Sequence, residues 1–344
     1  MSTDTPLVDQ FSRPIRDLRI SVTDRCNFRC VYCMPKEIFK GNYPFLGRRD
    51  LLSFEEITRL ARLFAHRGVT KLRLTGGEPL VRRDLPKLIE LLAGVEGIED
   101  ISLTTNGSLL NDERARTLTD AGLRRLTVSL DGITDDVFKR VNDVDFPVDR
   151  VLNAIDTAAN AGLAPIKINM VVKRGMNEGE ILPMAEYFRG SGHILRFIEF
   201  MDVGMTNGWE MDSVVSASEI AETIDARFPI DPIDPNYVGE VAKRWRYLDG
   251  AGEIGIISSV TQPFCGTCTR ARLSAEGSIY TCLFATEGTD FRQPLRDGEN
   301  DARLLARIDD LWREREDRYS QERSAGARSL RVAGPKIEMS YIGG

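Results

Sequence analysis

Six cysteines form two groups of three near opposite ends of a 344-residue chain. They are Cys26, Cys30, Cys33, Cys265, Cys268 and Cys282. Two groups of three pair poorly as disulfides, because each group would leave one thiol over. The chain has two histidines, His66 and His193, and neither lies near a cysteine group in sequence. The cysteines therefore suggest metal chemistry without an evident local Cys/His zinc site.

The first group, Cys26-x3-Cys30-x2-Cys33, follows a candidate strand, so one loop could wrap three thiolates around a metal centre. A [4Fe–4S] cube has four irons that are normally held by four thiolates, so three would leave one iron open to an exogenous ligand. A structural zinc site would need a fourth ligand nearby, and no local Cys or His supplies one. A zinc site and ordinary buried cysteines stay open as alternatives.

The second group, Cys265-x2-Cys268-x13-Cys282, contains two arginines between its ligands. Arg270 and Arg272 are two residues apart, so in an extended segment both project to the same side. Two guanidiniums beside an open metal centre would make a good anion clamp. The alternatives are a zinc ribbon that lacks a ligand or a cluster whose fourth ligand lies elsewhere in the chain.

Six short apolar runs, rich in Ile, Val, Leu and Thr, are predicted to be the strands that position these groups. They span residues 18–24, 71–76, 100–107, 126–132, 165–173 and 194–201. Amphipathic segments between them predict helices, most clearly at 53–68 and 149–163. Such alternation is typical of βαβ units and a parallel sheet, open or closed into a full or partial barrel. Polar residues follow five of the runs, and ligands collect at the carboxyl ends of parallel strands.

The alternation of strand-like and helix-like segments ends after about residue 210. A proline-rich break at 229–237 precedes a strand-like segment at 253–260 that leads into the second cysteine group. Residues 272–283 are predicted to form a hairpin with its turn at 275–277, and a charged helix is predicted near 300–317.

The charge balance argues against nucleic acid as the main partner, because 46 basic and 52 acidic side chains give a net charge of −6. The sequence contains no run of about 18 apolar residues, so we predict neither a transmembrane helix nor a membrane partner. The first residues lack the basic and apolar segments of a signal peptide. We therefore expect a soluble cytoplasmic protein.

The first cysteine group, with Tyr32 before its third cysteine, and the Gly-Gly-Glu-Pro segment at 76–79 resemble the radical S-adenosylmethionine (SAM) superfamily. The resemblance implies an α/β fold, a partial TIM barrel of about six βα units within residues 1–225. It implies a [4Fe–4S] cluster on Cys26, Cys30 and Cys33, whose open iron binds SAM. The reduced cluster would cleave SAM to methionine and a 5′-deoxyadenosyl radical. The implied SAM contacts are Tyr32, Gly77, Ser129 and Met201.

Within the superfamily, the chain resembles the enzymes that act on GTP in the first step of molybdenum cofactor biosynthesis. The similar stretches run from residues 13–35 through 72–85, 103–107, 128–132, 196–204 and 264–273 to 341–344. The implied second [4Fe–4S] cluster, on Cys265, Cys268 and Cys282, lies in a C-terminal region of residues 226–344 that closes the barrel. Its open iron would bind the guanine of GTP. The implied GTP contacts are Arg19, Arg73, Thr104, Lys167, Arg270 and Arg272, with Arg196 as a further basic candidate.

The resemblance also gives a role to the terminal Gly343 and Gly344, which would reach into the active site and be needed for activity. The implied reaction is abstraction of the ribose C3′ hydrogen of GTP, followed by bond formation between C3′ and C8. An external electron donor, a homodimer and transfer of the product to cyclic pyranopterin monophosphate synthase are implied as partners. Two other readings are a radical SAM enzyme that modifies a peptide and a non-catalytic iron–sulfur or zinc redox sensor.

Overall fold

In a computed structural model, described for residues 6–324 and 335–343, the chain folds as an α/β protein. Its strands are β1 Asp17–Ser21, β2 Lys71–Thr75, β3 Asp100–Thr105, β4 Arg125–Ser129, β5 Lys167–Val172, β6 Ile194–Glu199, β7 Ile230–Ile233, β8 Lys243–Tyr247, β9 Glu253–Ile257, β10 Arg270–Leu273, β11 Ser278–Tyr280 and β12 Thr289–Asp290. Its helices are α1 Phe54–Ala65, α2 Leu85–Ala93, α3 Asp112–Asp120, α4 Asp135–Asn142, α5 Asp149–Ala158, α6 Ile181–Phe188, α7 Ala217–Asp225, α8 Arg292–Arg296, α9 Asp301–Arg313, α10 Tyr319–Ser324 and α11 Met339–Ile342.

These strands form a single sheet in the order β12-β11-β10-β1-β2-β3-β4-β5-β6-β9-β8-β7. The eight strands from β10 to β9 run parallel to their neighbours, and the hairpin strands at both edges are antiparallel. The six predicted strands therefore lie side by side in chain order. Two strands from the C-terminal part extend that parallel run, with β10 beside β1 and β9 beside β6.

Helix α1 shows why the local sequence forms these units. The Ser53 hydroxyl accepts from the Glu56 amide, and the Glu56 carboxylate accepts from the Ser53 amide, which completes the predicted capping box. The apolar face that includes Ile57, Leu60 and Phe64 is buried against the sheet. The same division into a buried and an exposed face recurs in α5 and α7. The buried faces of these helices thus pack with the sheet into one hydrophobic core.

The strand register places polar residues of neighbouring strands side by side. Arg272, Arg19, Arg73, Ser102 and Arg125 are successive Cα partners across five adjacent strands. Because side chains two residues apart share a face, the residues two positions further along form a second row. That row includes Thr104 beside Thr127 and Thr127 beside Lys167. The parallel sheet therefore gathers basic side chains that lie far apart in sequence.

Several element boundaries differ from the prediction. The helix predicted at 149–163 ends at Ala158 and continues as a wider turn to Leu163, where Gly162 has a positive φ of 93°. The charged helix predicted near 300–317 ends at Arg313. The hairpin predicted at 272–283 is present as β10 and β11. No helix among residues 6–324 and 335–343 is long and apolar enough to cross a membrane.

Candidate active site

Both cysteine groups line one cavity. The lining includes all six cysteines and side chains from each of the six central strands. Nine basic and five carboxylate side chains border this cavity, an excess of four positive charges in a chain whose net charge is negative. The basic residues are Arg19, Lys71, Arg73, Arg125, Lys167, Arg196, Arg270, Arg272 and Arg315. We therefore expect an anionic ligand to bind between the two cysteine groups.

The loop of the first cysteine group is fixed by its own backbone and by Arg29. The Arg29 guanidinium donates to the carbonyl oxygens of Cys26 and Phe39 at 2.8 and 3.0 Å. The Cys30 thiol donates to the Asn142 side-chain oxygen at 3.0 Å. Burial raises the pKa of the Cys26 thiol to about 12, and Glu78 adds to the rise. These thiols need added positive charge to ionise, which iron ions supply.

The three thiols of this group also lie close enough to affect one another. Burial is the main reason that the pKa values of Cys30 and Cys33 are raised, and Cys26 contributes to both rises. Across the described part of the chain, no three Cys, His, Asp or Glu side chains converge tightly enough to hold a single metal ion. All six cysteines are free thiols. Three free thiols in one loop suit a cubane cluster, which takes each thiolate on a separate iron.

The second cysteine group is held by buried arginines. Arg270 donates to the Cys268 sulfur from Nε at 3.2 Å and from Nη2 at 3.1 Å. Arg315 donates to the Cys268 carbonyl oxygen at 2.8 Å, and Arg13 donates to that of Cys265 at 2.8 Å. Burial opposes ionisation of Cys268, but Arg270 and Arg315 together lower the pKa of its thiol to about 6. Arg270 thus contacts the Cys268 sulfur directly, which the sequence did not predict.

The predicted phosphate contacts form a cluster of partly buried cations. Arg19, Arg73 and Lys167 pair with no carboxylate among residues 6–324 and 335–343. Burial lowers the pKa of Lys167 to about 7, helped by nearby guanidiniums of which Arg196 contributes most. Burial and Arg73 likewise lower the pKa of Arg196 to about 9. Such a cluster is costly when empty and gains stability when an anion binds.

Thr104 and Arg196 complete this part of the wall. The Thr104 hydroxyl oxygen is buried and has no hydrogen-bond partner among residues 6–324 and 335–343. Arg196 donates to the Asn169 side-chain oxygen at 2.9 Å, so it is anchored by the sheet while its charge faces the cavity. An unpaired buried hydroxyl beside unpaired cations is an arrangement that a polar ligand would complete.

The C-terminal tail enters the same cavity. Arg272 donates to the Gly343 carbonyl oxygen, and Met339 and Ser340 line the wall. Burial lowers the pKa of Arg272 to about 9, and Arg270 adds to that effect. The tail is fastened further back by Glu338, which accepts from the Met205 amide and the Thr206 hydroxyl, both at 2.9 Å. Gly344 lies outside the described residues.

The predicted SAM contacts share the cavity with the first cysteine group. Tyr32, Gly77, Ser129 and Met201 all line the cavity. The Tyr32 hydroxyl donates to Asp131 at 2.7 Å, and burial raises the pKa of that carboxyl to about 6. A Cβ on Gly77 would lie 2.3 Å from the Arg25 carbonyl oxygen, so glycine is required by the cysteine loop itself.

Two strand-end carboxylates, Glu78 and Asp131, organise the site, a role that the sequence did not assign to them. Glu78 accepts from the Leu80 amide, the Thr105 hydroxyl and the Asn106 amide at 2.7 to 3.0 Å, and it ties the end of β2 to the end of β3. Asp131 does the same for Tyr32 and β5, since it also accepts from the Val171 amide at 2.9 Å. The strand-end position of both carboxylates was visible in the sequence, but their partners were not.

Comparison with known proteins identifies the family. Residues 20–188 match the Radical SAM superfamily, and residues 193–321 match the family Molybdenum Cofactor Synthesis C. The chain is 52% identical to the GTP 3′,8-cyclase of Acidothermus cellulolyticus, over 98% of this chain and 99% of that protein. It is 50% identical to the GTP 3′,8-cyclase of Staphylococcus carnosus with the same coverage. The chain belongs to the GTP 3′,8-cyclase family.

Solved structures share the fold at much lower identity. The peptide-bound SuiB of Streptococcus suis superimposes with a TM-score of 0.62 at 15% identity, over 92% of this chain and 67% of that one. The enzyme anSMEcpe gives a TM-score of 0.54 at 16% identity, over 86% and 83% of the two chains. At this distance the similarity shows the radical SAM fold alone. The GTP 3′,8-cyclase family assignment rests on the full-length relatives.

Proposed function

We propose that this protein is a radical SAM GTP 3′,8-cyclase, a lyase that converts GTP to (8S)-3′,8-cyclo-7,8-dihydroguanosine 5′-triphosphate in the first step of molybdenum cofactor biosynthesis. One observation carries the proposal: two thiol groups suited to clusters and an excess of basic side chains share a single cavity. The relatives of known name, about half identical over nearly the whole chain, agree with it.

The cofactors are SAM and two [4Fe–4S] clusters. Cys26, Cys30 and Cys33 would hold the first, and Cys265, Cys268 and Cys282 the second. When bound, the first cluster would supply the electron that cleaves SAM, and the second would bind the guanine base. The chemistry they would supply is transfer of the C3′ hydrogen of GTP to the deoxyadenosyl group and formation of the C3′–C8 bond. An electron from the external donor and a proton would then complete the 7,8-dihydro product.

The residues near the first cysteine group orient SAM. Tyr32 is fixed by its hydrogen bond to Asp131, so its ring presents one face to the cavity. We assign it a contact with the adenine ring of SAM, and we assign further SAM contacts to Gly77, Ser129 and Met201. Because the Asp131 carboxylate is also bound to the β5 backbone, the position of the tyrosine is set by the sheet.

The basic side chains that line the cavity, here called the basic wall, hold the triphosphate. Arg19, Arg73 and Lys167 have no carboxylate partner among the described residues, so their charges are available to phosphate oxygens. Thr104 offers an unpaired hydroxyl, and Arg196 adds a fourth charge from β6. Binding one end of GTP here and the other at the second cysteine group would place the ribose between them, within reach of the deoxyadenosyl group.

Arg270 and Arg272 lie where the base and the phosphates would meet. Arg270 is bound to the Cys268 sulfur, so its contact with GTP would be made beside a cluster ligand. Arg272 holds the Gly343 carbonyl, which places the tail next to the substrate. We propose that Gly343, with Gly344, contributes to the closed site in which the radical reacts.

We further propose that residues 1–225 form the radical SAM core as a partial barrel, and that residues 226–344 carry the auxiliary cluster and close it. The cavity, walled by all six central strands, supports the partial barrel. We also propose that the protein is a homodimer that works in the cytoplasm and takes electrons from an external donor. Its product would pass to cyclic pyranopterin monophosphate synthase.

The test uses GTP deuterated at C3′. Protein reconstituted with iron and sulfide without oxygen, reduced and mixed with SAM, should release 5′-deoxyadenosine that carries the deuterium and should form the cyclised nucleotide. Mass spectrometry measures both products, and the Cys26→Ala variant is the control for background cleavage. Deoxyadenosine without deuterium or cyclised nucleotide would point to another substrate. No deoxyadenosine from fully loaded protein would refute the enzyme assignment.

A further inference from the structure

We propose that Asp317 recognises the exocyclic amino group of guanine and so makes the enzyme selective for GTP over nucleotides that lack it. This inference rests on the proposed function and names a specificity-determining residue for it. Asp317 follows α9 and lines the cavity in the part that also contains the second cysteine group. The sequence predicted Asp317 to lie at the end of the charged helix near 300–317.

Among the described residues, five carboxylates line the cavity, and four of them have other tasks. Glu78 accepts three hydrogen bonds from β2 and β3, and Glu199 accepts from three backbone amides and a hydroxyl. Asp17 accepts from Thr269 at 2.9 Å. Glu240 accepts from Asn236 in the loop after β7. These four are committed to the protein.

The fifth carboxylate is free in part. The Asp317 side chain is 30% exposed and lines the cavity. Its Oδ2 atom is buried on the protein side, where it forms an ion pair with Arg315, whose Nε lies 3.4 Å away. The Oδ1 atom accepts no hydrogen bond from the described part of the chain, and it is the oxygen that a ligand N–H can reach.

A buried ionic network fixes this carboxylate relative to the cysteines. One nitrogen of Arg13 donates to the carbonyl oxygens of Cys265 and Asp317 at 2.8 and 2.9 Å, so the two backbone segments are tied together. Arg315 is tied to the Cys268 carbonyl in the same way. Asp9 accepts from both guanidiniums, at 2.6 and 3.2 Å. The side chains of these three charged residues, Asp9, Arg13 and Arg315, are at most 2% exposed.

The chemistry of guanine matches this arrangement. A carboxylate can only accept hydrogen bonds, and the amino edge of guanine can only donate them. The unpaired cations of the basic wall lie on the central strands and would hold the triphosphate. The guanine base would therefore lie at the other end of the cavity, at the second cysteine group. Asp317 is then the carboxylate at the base end of the cavity. Hypoxanthine, the base of ITP, lacks the amino group and would leave the Oδ1 atom without this donor.

The experiment compares GTP and ITP binding to reconstituted protein by anaerobic equilibrium dialysis. We expect wild-type protein to bind GTP about tenfold to a hundredfold more tightly than ITP, the range for the loss of a hydrogen bond to a charged group. Asp317→Ala should remove most of that ratio, and Asp317→Asn, which keeps one acceptor oxygen, should lie between. Glu316→Ala, which removes an exposed neighbouring carboxylate, should leave the ratio unchanged.

The outcomes separate this inference from the proposed function. If wild-type protein cyclises GTP but the Asp317 variants keep the wild-type binding ratio, Asp317 is only a counter-ion for Arg315 and the inference is wrong. Equal affinity of the wild type for GTP and ITP also overturns it. If Asp317→Ala fails to load iron, the asparagine variant decides. Failure of fully loaded wild type to convert GTP refutes the proposed function instead.

Discussion

Replacing Gly343 with alanine tests whether the C-terminal tail must lie in the cavity for turnover. Gly343 has φ 74° and ψ 127°, a conformation that residues with a Cβ rarely adopt. A Cβ built there would lie 2.1 Å from Cγ2 of Thr75, and 3.3 Å from Cβ and Oγ1 of the same side chain. The substitution therefore combines backbone strain with a steric overlap inside the site.

The two costs can be estimated separately. A non-glycine residue in such a conformation costs about 1 to 3 kcal/mol, and an extra methyl group in a packed site costs about 1 to 3 kcal/mol. Because the tail is terminal, it can relieve both by leaving the cavity. A combined cost of about 3 kcal/mol lowers the fraction of docked tail roughly a hundredfold. The stability of the rest of the protein should change little.

The assay measures deoxyadenosine and cyclised nucleotide together with iron and sulfide content. We expect Gly343→Ala to lose most cyclised product while both clusters load normally, as truncation of Gly343 and Gly344 should. Gly250→Ala is the matched control, because Gly250 also has a positive φ, of 80°, but nothing within 4 Å of its added Cβ. Thr75→Ser in the Gly343→Ala background removes the closest atom and should restore part of the activity. Wild-type turnover in Gly343→Ala would show that the docked tail is not needed.

Three further predictions concern single residues. Cys26→Ala should abolish SAM cleavage, and unchanged release of deoxyadenosine would refute its assignment as a cluster ligand. Gly77→Ala should displace the first cysteine loop, because its Cβ would lie 2.3 Å from the Arg25 carbonyl oxygen. Iron analysis should then find about four of the eight irons. Full iron loading would contradict this. The pKa of Lys167, about 7, leaves it largely neutral at pH 8, and a bound triphosphate should raise that pKa, so GTP binding should take up a proton. Calorimetry in buffers of different ionisation enthalpy measures the uptake, and the same uptake in Lys167→Met would disprove the reasoning.

Much of the fold could be predicted because it depends on local patterns. The six central strands are short apolar runs, and the α1 capping box needs only Ser53 and Glu56. The pairing of β10 with β1 could not be predicted, because those strands are about 250 residues apart and a hairpin pattern leaves the outer partner of β10 unspecified. The same pairing places Arg272 beside Arg19, which joins the two halves of the basic wall.

The site was predictable to a similar extent. The cysteine spacing and the strand-end residues indicated its members, but their partners depend on tertiary contacts. Arg13 and Arg315 illustrate this, since a charged segment usually predicts a solvated surface and both guanidiniums are buried. Asp317 was hidden for the same reason, because its segment was predicted as part of a helix that ends earlier.

The distribution of charge explains why both cysteine groups share one cavity. The cations on the central strands repel one another, and burial lowers the pKa values of Arg19, Arg73, Lys167 and Arg196. At the second cysteine group, by contrast, Arg270 is paired with the Cys268 sulfur. The cavity therefore has one end where positive charge is unpaired and one where it is balanced by thiolate. A nucleotide with an anionic tail and a neutral base can satisfy both ends in only one orientation, and that orientation leaves its ribose in the middle, where the radical must act.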